Sequence, residues 1–149
     1  MKRLSLGCVV IALFLAGCAT VQLTPDQKRT IEARELEGVY EDAFKATLQV
    51  LQDNGYVIKS SDHASGVIQG ETGVKMGWFG RMDNTEITVT LEQFGANTVK
   101  ERMTVVGKVK VSSQYGTHED SKNIDDPELF QKLYNEIQKE MFIRKNLNK

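Results

Sequence analysis

The stretch TEITVTLEQF (residues 85–94), GAN (95–97) and TVKERMTVVGKVKV (98–111) decides the fold. Ile87, Val89 and Leu91 alternate with Glu86, Thr88, Thr90 and Glu92. Val99, Met103, Val105, Val109 and Val111 alternate with Lys100, Arg102, Thr104, Lys108 and Lys110. A period of two is that of a strand with one buried face. If Gly95-Ala96-Asn97 forms the turn, Val89 meets Met103 and Ile87 meets Val105 on one face, while Glu92 meets Lys100 on the other. One register satisfies both faces, which is what an antiparallel hairpin requires.

Helical patterns flank this hairpin. From Val39 to Asn54 the apolar positions Tyr40, Ala43, Phe44, Thr47, Leu48 and Leu51 recur at helical spacing, and Asn54-Gly55 ends the run as a left-handed cap does. Asp126-Pro127 opens a second helix as N-cap and first-turn proline. Phe130, Leu133, Tyr134, Ile137 and Met141 form its stripe, and Lys139, Arg144 and Lys145 lie toward its C-terminal end, where the dipole favours cations. Thr30–Glu37 reads as a first strand ended by Gly38, and Tyr56–Ile58 and Gly66–Ile68 as short strands around a turn over 60–65. The expected architecture is α+β: an antiparallel sheet of about five strands, in the order β-α-β-β-β-β-α, with helices packed on one face.

Composition sets outer limits. The chain has 149 residues, 40% hydrophobic and 26% charged, with two prolines. That suits one globular domain and excludes collagen-like and low-complexity classes. Nineteen basic residues against 20 acidic ones give no global attraction to nucleic acid.

The amino terminus speaks to compartment. Met1-Lys2-Arg3 is a basic n-region, and Leu4–Ala16 an apolar run too short to cross a bilayer, which takes roughly 20 residues. Length and flanks are those of a secretory signal. The run ends Leu15-Ala16-Gly17-Cys18, which resembles the lipobox of bacterial lipoproteins. That resemblance implies cleavage before Cys18, a diacylglyceryl group on its thiol, and usually acylation of the new amino terminus. Ala19, rather than Asp, after the cysteine implies export to the outer membrane, periplasmic side, in enterobacterial-type lipoproteins; otherwise the expectation is the exported side of the cell membrane. Each buried methylene contributes roughly 0.8 kcal/mol and two chains give stable anchoring.

The expected division is therefore 1–17 as signal peptide, 18–29 as lipidated cysteine and tether, and 30–149 as a single domain. Such processing removes Cys8 and leaves no free thiol for a disulfide. It also removes Lys2 and Arg3, leaving 17 basic residues against 20 acidic. Within the tether, Thr24-Pro25-Asp26-Gln27 has the alternative of capping a short helix, with Thr as N-cap and Gln at N3.

Arg34-Glu35, Val39-Tyr40, Ala43, Ala46, Leu48, Leu51–Tyr56, Ile58, Asp62 and Gly66-Val67-Ile68 together resemble a family of small bacterial outer-membrane lipoproteins of uncharacterised function. These have a helix-grip, or TATA-binding-protein-like, domain similar to a folded module of the C-subunit lipoprotein of the β-barrel assembly machine. The resemblance implies an α+β fold and says little of function. This chain has one such module, whereas that subunit has two and a long extended arm.

Residues 73–84 have no clean period and read as a loop that combines three glycines with Met76, Trp78, Phe79, Arg81 and Met82. Its apolar, adaptable side chains make it a candidate contact for a partner, with Lys75 and Arg81 available to lipid phosphate or an acidic protein. The alternative is that Trp78 and Phe79 plug an end of the sheet. Lys100, Arg102, Lys108 and Lys110 form a basic row on the outward face, which is either a solvated face balanced by Glu86 and Glu92 or a groove for an anionic group.

His63 and His118 are read in separate turns, a poor arrangement for a metal, and no Gly-x-Ser-x-Gly, calcium-loop or phosphate-loop motif occurs. No catalysis, metal or cofactor is expected. The expected partners are the membrane, through acylated Cys18, and an envelope protein. A small-ligand or lipid-binding module, with an apolar pocket among Phe44, Leu48, Val105 and Ile137, is the alternative function.

Overall fold

The computed structural model describes residues 24–77 and 81–147. Its elements are α1 (Pro25–Glu32), β1 (Ala33–Glu37), α2 (Tyr40–Asp53), β2 (Tyr56–Asp62), β3 (Val67–Thr72), β4 (Lys75–Met76), β5 (Arg81–Gln93), β6 (Thr98–Ser113), β7 (Gly116–Asn123) and α3 (Pro127–Leu147). All strand pairings are antiparallel, in the order β1-β6-β5-β3-β2, with β4 added to β5 and β7 to β6. The class is α+β, as the alternating patterns require.

The central hairpin takes the expected register. Val89 pairs with Met103, Ile87 with Val105, and Glu92 with Lys100. The turn closes through the Phe94 amide donating to the Thr98 carbonyl at 2.8 Å. Leu36, Ile68, Ile87, Val89, Leu91, Val99, Met103 and Val105 are all buried on one face of the sheet, against Ala43, Phe44, Val50 and Leu51 of α2 and the whole stripe Phe130–Met141 of α3. Amphipathic helices cover a one-sided sheet because each element thereby hides its only apolar face.

Several expectations are corrected. The first strand begins at Ala33, not Thr30, because Thr24, Pro25 and Gln27 form the capped helix instead. Gln27's amide donates to Thr24 Oγ1 at 3.3 Å, and Gln27 Oε1 accepts from the Thr24 amide at 2.9 Å. This reciprocal capping box satisfies two orphan donors and carries the helix through Glu32. β2 and β3 are longer than their apolar cores, reaching Asp62 and Thr72, so the intervening turn shortens to residues 63–66. Leu48 is only partly buried, whereas Ala46 and Val50 join the buried face. The sheet has seven strands among the described residues; β4 and β7 were not anticipated.

Beyond Gly107, where Ile124 packs over the strand, β4, the first half of β5, the second half of β6 and β7 hold no buried residue. They form an arm whose β7 is exposed along its whole length.

Candidate functional site

Four features carry unusual side chains: the arm, the open sheet face, the turn at His63, and a carboxyl in the core.

The arm holds the segment expected to be a loop. Among its described residues most are strand: Lys75 pairs with Asp83 and Met76 with Met82, both antiparallel. Met76 is 81% exposed and Met82 lies beside Lys110 of β6. Arg81 Nε donates to Asp83 Oδ1 at 2.9 Å, and this contact raises the guanidinium pKa. Trp78 and Phe79, like Cys18, lie outside the described residues. The facing turn between β6 and β7 carries Tyr115 at 91% exposure, its amide donating to Ser113 Oγ. The sequence signal for β7 was absent because GTHEDSKN faces solvent on both sides and needs no alternation. His118 consequently sits in a strand opposite Val111 rather than in a turn.

The open face is the side of the sheet that α2 and α3 leave uncovered. Strand alternation puts Lys100, Arg102, Lys108 and Lys110 there as one row along β6. Register places acids on both flanks: Lys100 lies between Glu92 of β5 and Glu35 of β1, and Lys110 opposite Glu119 of β7. Lys108 Nζ meets Glu86 Oε1 at 2.6 Å, and that carboxylate holds the ammonium pKa above its usual value. Glu86 and Glu71 are direct cross-strand neighbours, and Lys59 pairs with Glu71 at 2.8 Å. Basic and acidic rows thus alternate across the sheet, which favours a partner with a matching alternation over a uniformly anionic ligand.

At the turn, His63 Nε2 lies 2.7 Å from Glu41 Oε2, and its ring is edge-on to Tyr40 and Phe44. Tyr40 donates to the His63 carbonyl at 2.6 Å. Ser65 Oγ donates instead to Asp62 Oδ2 at 2.7 Å. Serine and histidine engage different carboxylates: Ser65 closes the β2–β3 turn on itself, while His63 and Tyr40 tie that turn to the start of α2. Lys45 first, and His63 second, lower the pKa of Glu41. Among the described residues no group of three or more His, Cys, Asp and Glu side chains is placed to hold a metal.

In the core, Glu101 is fully buried, with Oε1 3.0 Å from Thr47 Oγ1 and Oε2 without a hydrogen-bond partner. Burial pushes its pKa up to about 8. Its parity along β6, between Val99 and Met103, was the signal that it points inward. Tyr134 stacks nearby under the Arg34 guanidinium, 5.2 Å from the ring centroid, and donates to the Glu32 carbonyl. Desolvation raises the Tyr134 pKa.

Of the residues named for an apolar pocket, Phe44, Val105 and Ile137 are buried members of one packed cluster, and Leu48 packs against it. Clefts open instead on the solvent side of α3, one of about 410 Å³ between Val50, Asn54, Lys132, Glu136 and Lys139. No helix among the described residues is long and apolar enough to cross a membrane.

No family model matches this chain, and no curated protein matches it. Among solved structures, the adenylate sensor from AMP-activated protein kinase, in complex with 5-aminoimidazole-4-carboxamide 1-beta-D-ribofuranotide, is 12% identical over 73% of this chain and 94% of that one, with a TM-score of 0.42. A similarity of that size bears on neither ligand nor function.

Proposed function

We propose that the protein is an exported lipoprotein, anchored through acylated Cys18 on the periplasmic side of an outer membrane, that acts without catalysis as an accessory or scaffold contact in an envelope protein complex. The observation that carries this reading is the join between a leader ending Leu15-Ala16-Gly17-Cys18 and a domain with one sheet face left open and lined by alternating charge. Lipidation confines the domain to two dimensions and raises its effective concentration toward membrane-bound partners, so a weak polar contact suffices. The residue types on the open face suit that work: Thr88, Thr90 and Thr104 give flat polar surface between the charged rows, and complementary charge steers and orients a partner more than it tightens binding. The basic row Lys100, Arg102, Lys108 and Lys110 is the part of this face assigned to acidic patches of that partner.

Site-specific photo-crosslinking in intact envelopes tests the reading. A crosslinker at Thr104 on the open face gives a discrete protein adduct that disappears with Lys100→Glu/Arg102→Glu. A crosslinker at Lys139 on the opposite, solvent side of α3 gives none. Equal, diffuse adducts from both positions would overturn the assignment.

A further inference from the structure

We infer that the arm beyond Gly107 is a strut that rests its tip, through Tyr115 and Met76, on the headgroup layer of the bilayer that holds Cys18; this rests on the lipoprotein reading above.

β1 runs antiparallel to β6, with Glu37 opposite Thr98 and Ala33 opposite Arg102. Followed backward from Ala33, the chain therefore travels along β6 toward its arm. α1 continues that course: Lys28 Nζ reaches Asp125 Oδ2 at 2.5 Å, and Asp125 follows Ile124, whose amide donates to the Val105 carbonyl at 2.9 Å. Thr24 caps the free end of α1, one turn beyond Lys28. The tether thus leaves the domain at the base of the arm.

Length comes next. Cys18 and Thr24 are six residues apart, so the tether reaches at most about 20 Å. Gly107 and Ser113 are also six residues apart along β6, about 20 Å of strand. Six residues are thus enough chain for the acylated cysteine to lie at the level of the tip.

The tip has matching chemistry. Tyr115 and Met76 are almost wholly exposed, and Val111 is partly so. Amphipathic aromatic side chains favour the membrane interface, and lysine heads reach phosphate while their stems lie along apolar surface. Lys75, next to Met76 on β4, is exposed as well. The charges on the arm nearly balance, with Arg81 already paired to Asp83, so the contact draws on interfacial partitioning rather than on attraction to anionic lipid. Two points of support, lipid and strut, would hold the open sheet face at a fixed angle to the membrane.

The full chain is expressed with its leader, and its acylation is checked by intact mass. Acylation blocks Cys18 and cleavage removes Cys8, so Tyr115→Cys supplies the one thiol for an environment-sensitive nitrobenzoxadiazole dye. Ala96→Cys, in the hairpin turn at the other end of the sheet, is the control. Both proteins are reconstituted on vesicles of phosphatidylethanolamine and phosphatidylglycerol carrying shallow nitroxide lipid. The strut predicts quenching at position 115 at least about threefold stronger than at 96, reduced by a further Met76→Glu change. Acylated, vesicle-bound protein with equal quenching at both positions overturns the strut and leaves the anchor standing. Quenching at 115 that requires added envelope proteins overturns it in favour of a protein contact. Protein that carries no acyl group on Cys18 overturns the anchor, and the strut with it.

Discussion

The Thr47 hydroxyl stands between two acceptors, 2.8 Å from the Ala43 carbonyl and 3.0 Å from Glu101 Oε1. A hydroxyl has one proton, so it serves one of them at a time. A protonated Glu101 resolves the arrangement by donating to Thr47 while Thr47 donates to Ala43. The geometry and the raised pKa of Glu101 agree: burial without a counter-charge favours the neutral acid.

That neutral carboxyl makes stability fall with rising pH. Below the ordinary glutamate value both folded and unfolded states hold the proton. Between about 4.5 and about 8 only the folded state holds it, so the unfolded state gains on every increment of pH. Above about 8 the loss is complete. Glu101→Gln keeps the shape and removes the titration. Denaturant unfolding at intervals from pH 4 to 9 will show the variant gaining on the parent chain across that window, by a few kcal/mol at the alkaline end. A constant difference at all pH values would mean that Glu101 ionises in the fold just as it does in the unfolded chain.

Gly66 is held at φ +72° where β3 begins, its carbonyl accepting from the Leu91 amide at 2.8 Å. A Cβ there would come within 2.1 Å of the Leu91 carbonyl oxygen, a backbone atom that cannot move aside. Gly55, at φ +83°, has open space around it. Gly66→Ala is expected to cost about 3 kcal/mol or more, and Gly55→Ala about 1 kcal/mol, the cost of the left-handed backbone alone. Urea titrations of the two variants will separate them.

Thr24→Ala removes half of the capping box while leaving the core untouched. Loss of an N-cap costs about 1 kcal/mol. Because α1 buries no residue fully, that cost falls on local opening of the helix rather than on the whole domain. Amide exchange at Lys28–Glu32 will quicken severalfold, with the exchange of β5 and β6 unchanged.

Legibility in the sequence followed burial. β5, β6, α2 and α3 each have one face in the core, and their periods of two and 3.6 are written in apolar residues. The register Ile87↔Val105 followed from that alone. β7 and β4 bury nothing, so neither periodicity nor composition marks them, and a segment with three glycines read as a loop. α1 was visible only through its cap, because its helix is amphipathic without a buried residue. Glu101 was hidden differently: its position on the strand pointed inward, while its charge argued outward. The core overrode the charge by neutralising it. The open face and its basic row were legible, but the acids of β1, β3 and β7 that interleave with it belong to strands brought alongside only by the fold.

Anchor, strut and presented face all depend on the acylated cysteine. The measurement is intact mass spectrometry of the membrane-extracted mature protein, beside the Cys18→Ser variant. The expected parent chain begins at Cys18 with the added mass of a diacylglyceryl group and an amide-linked acyl chain, and the variant has neither. A parent chain that retains residues 1–17, or is cut elsewhere and carries no lipid, would contradict it.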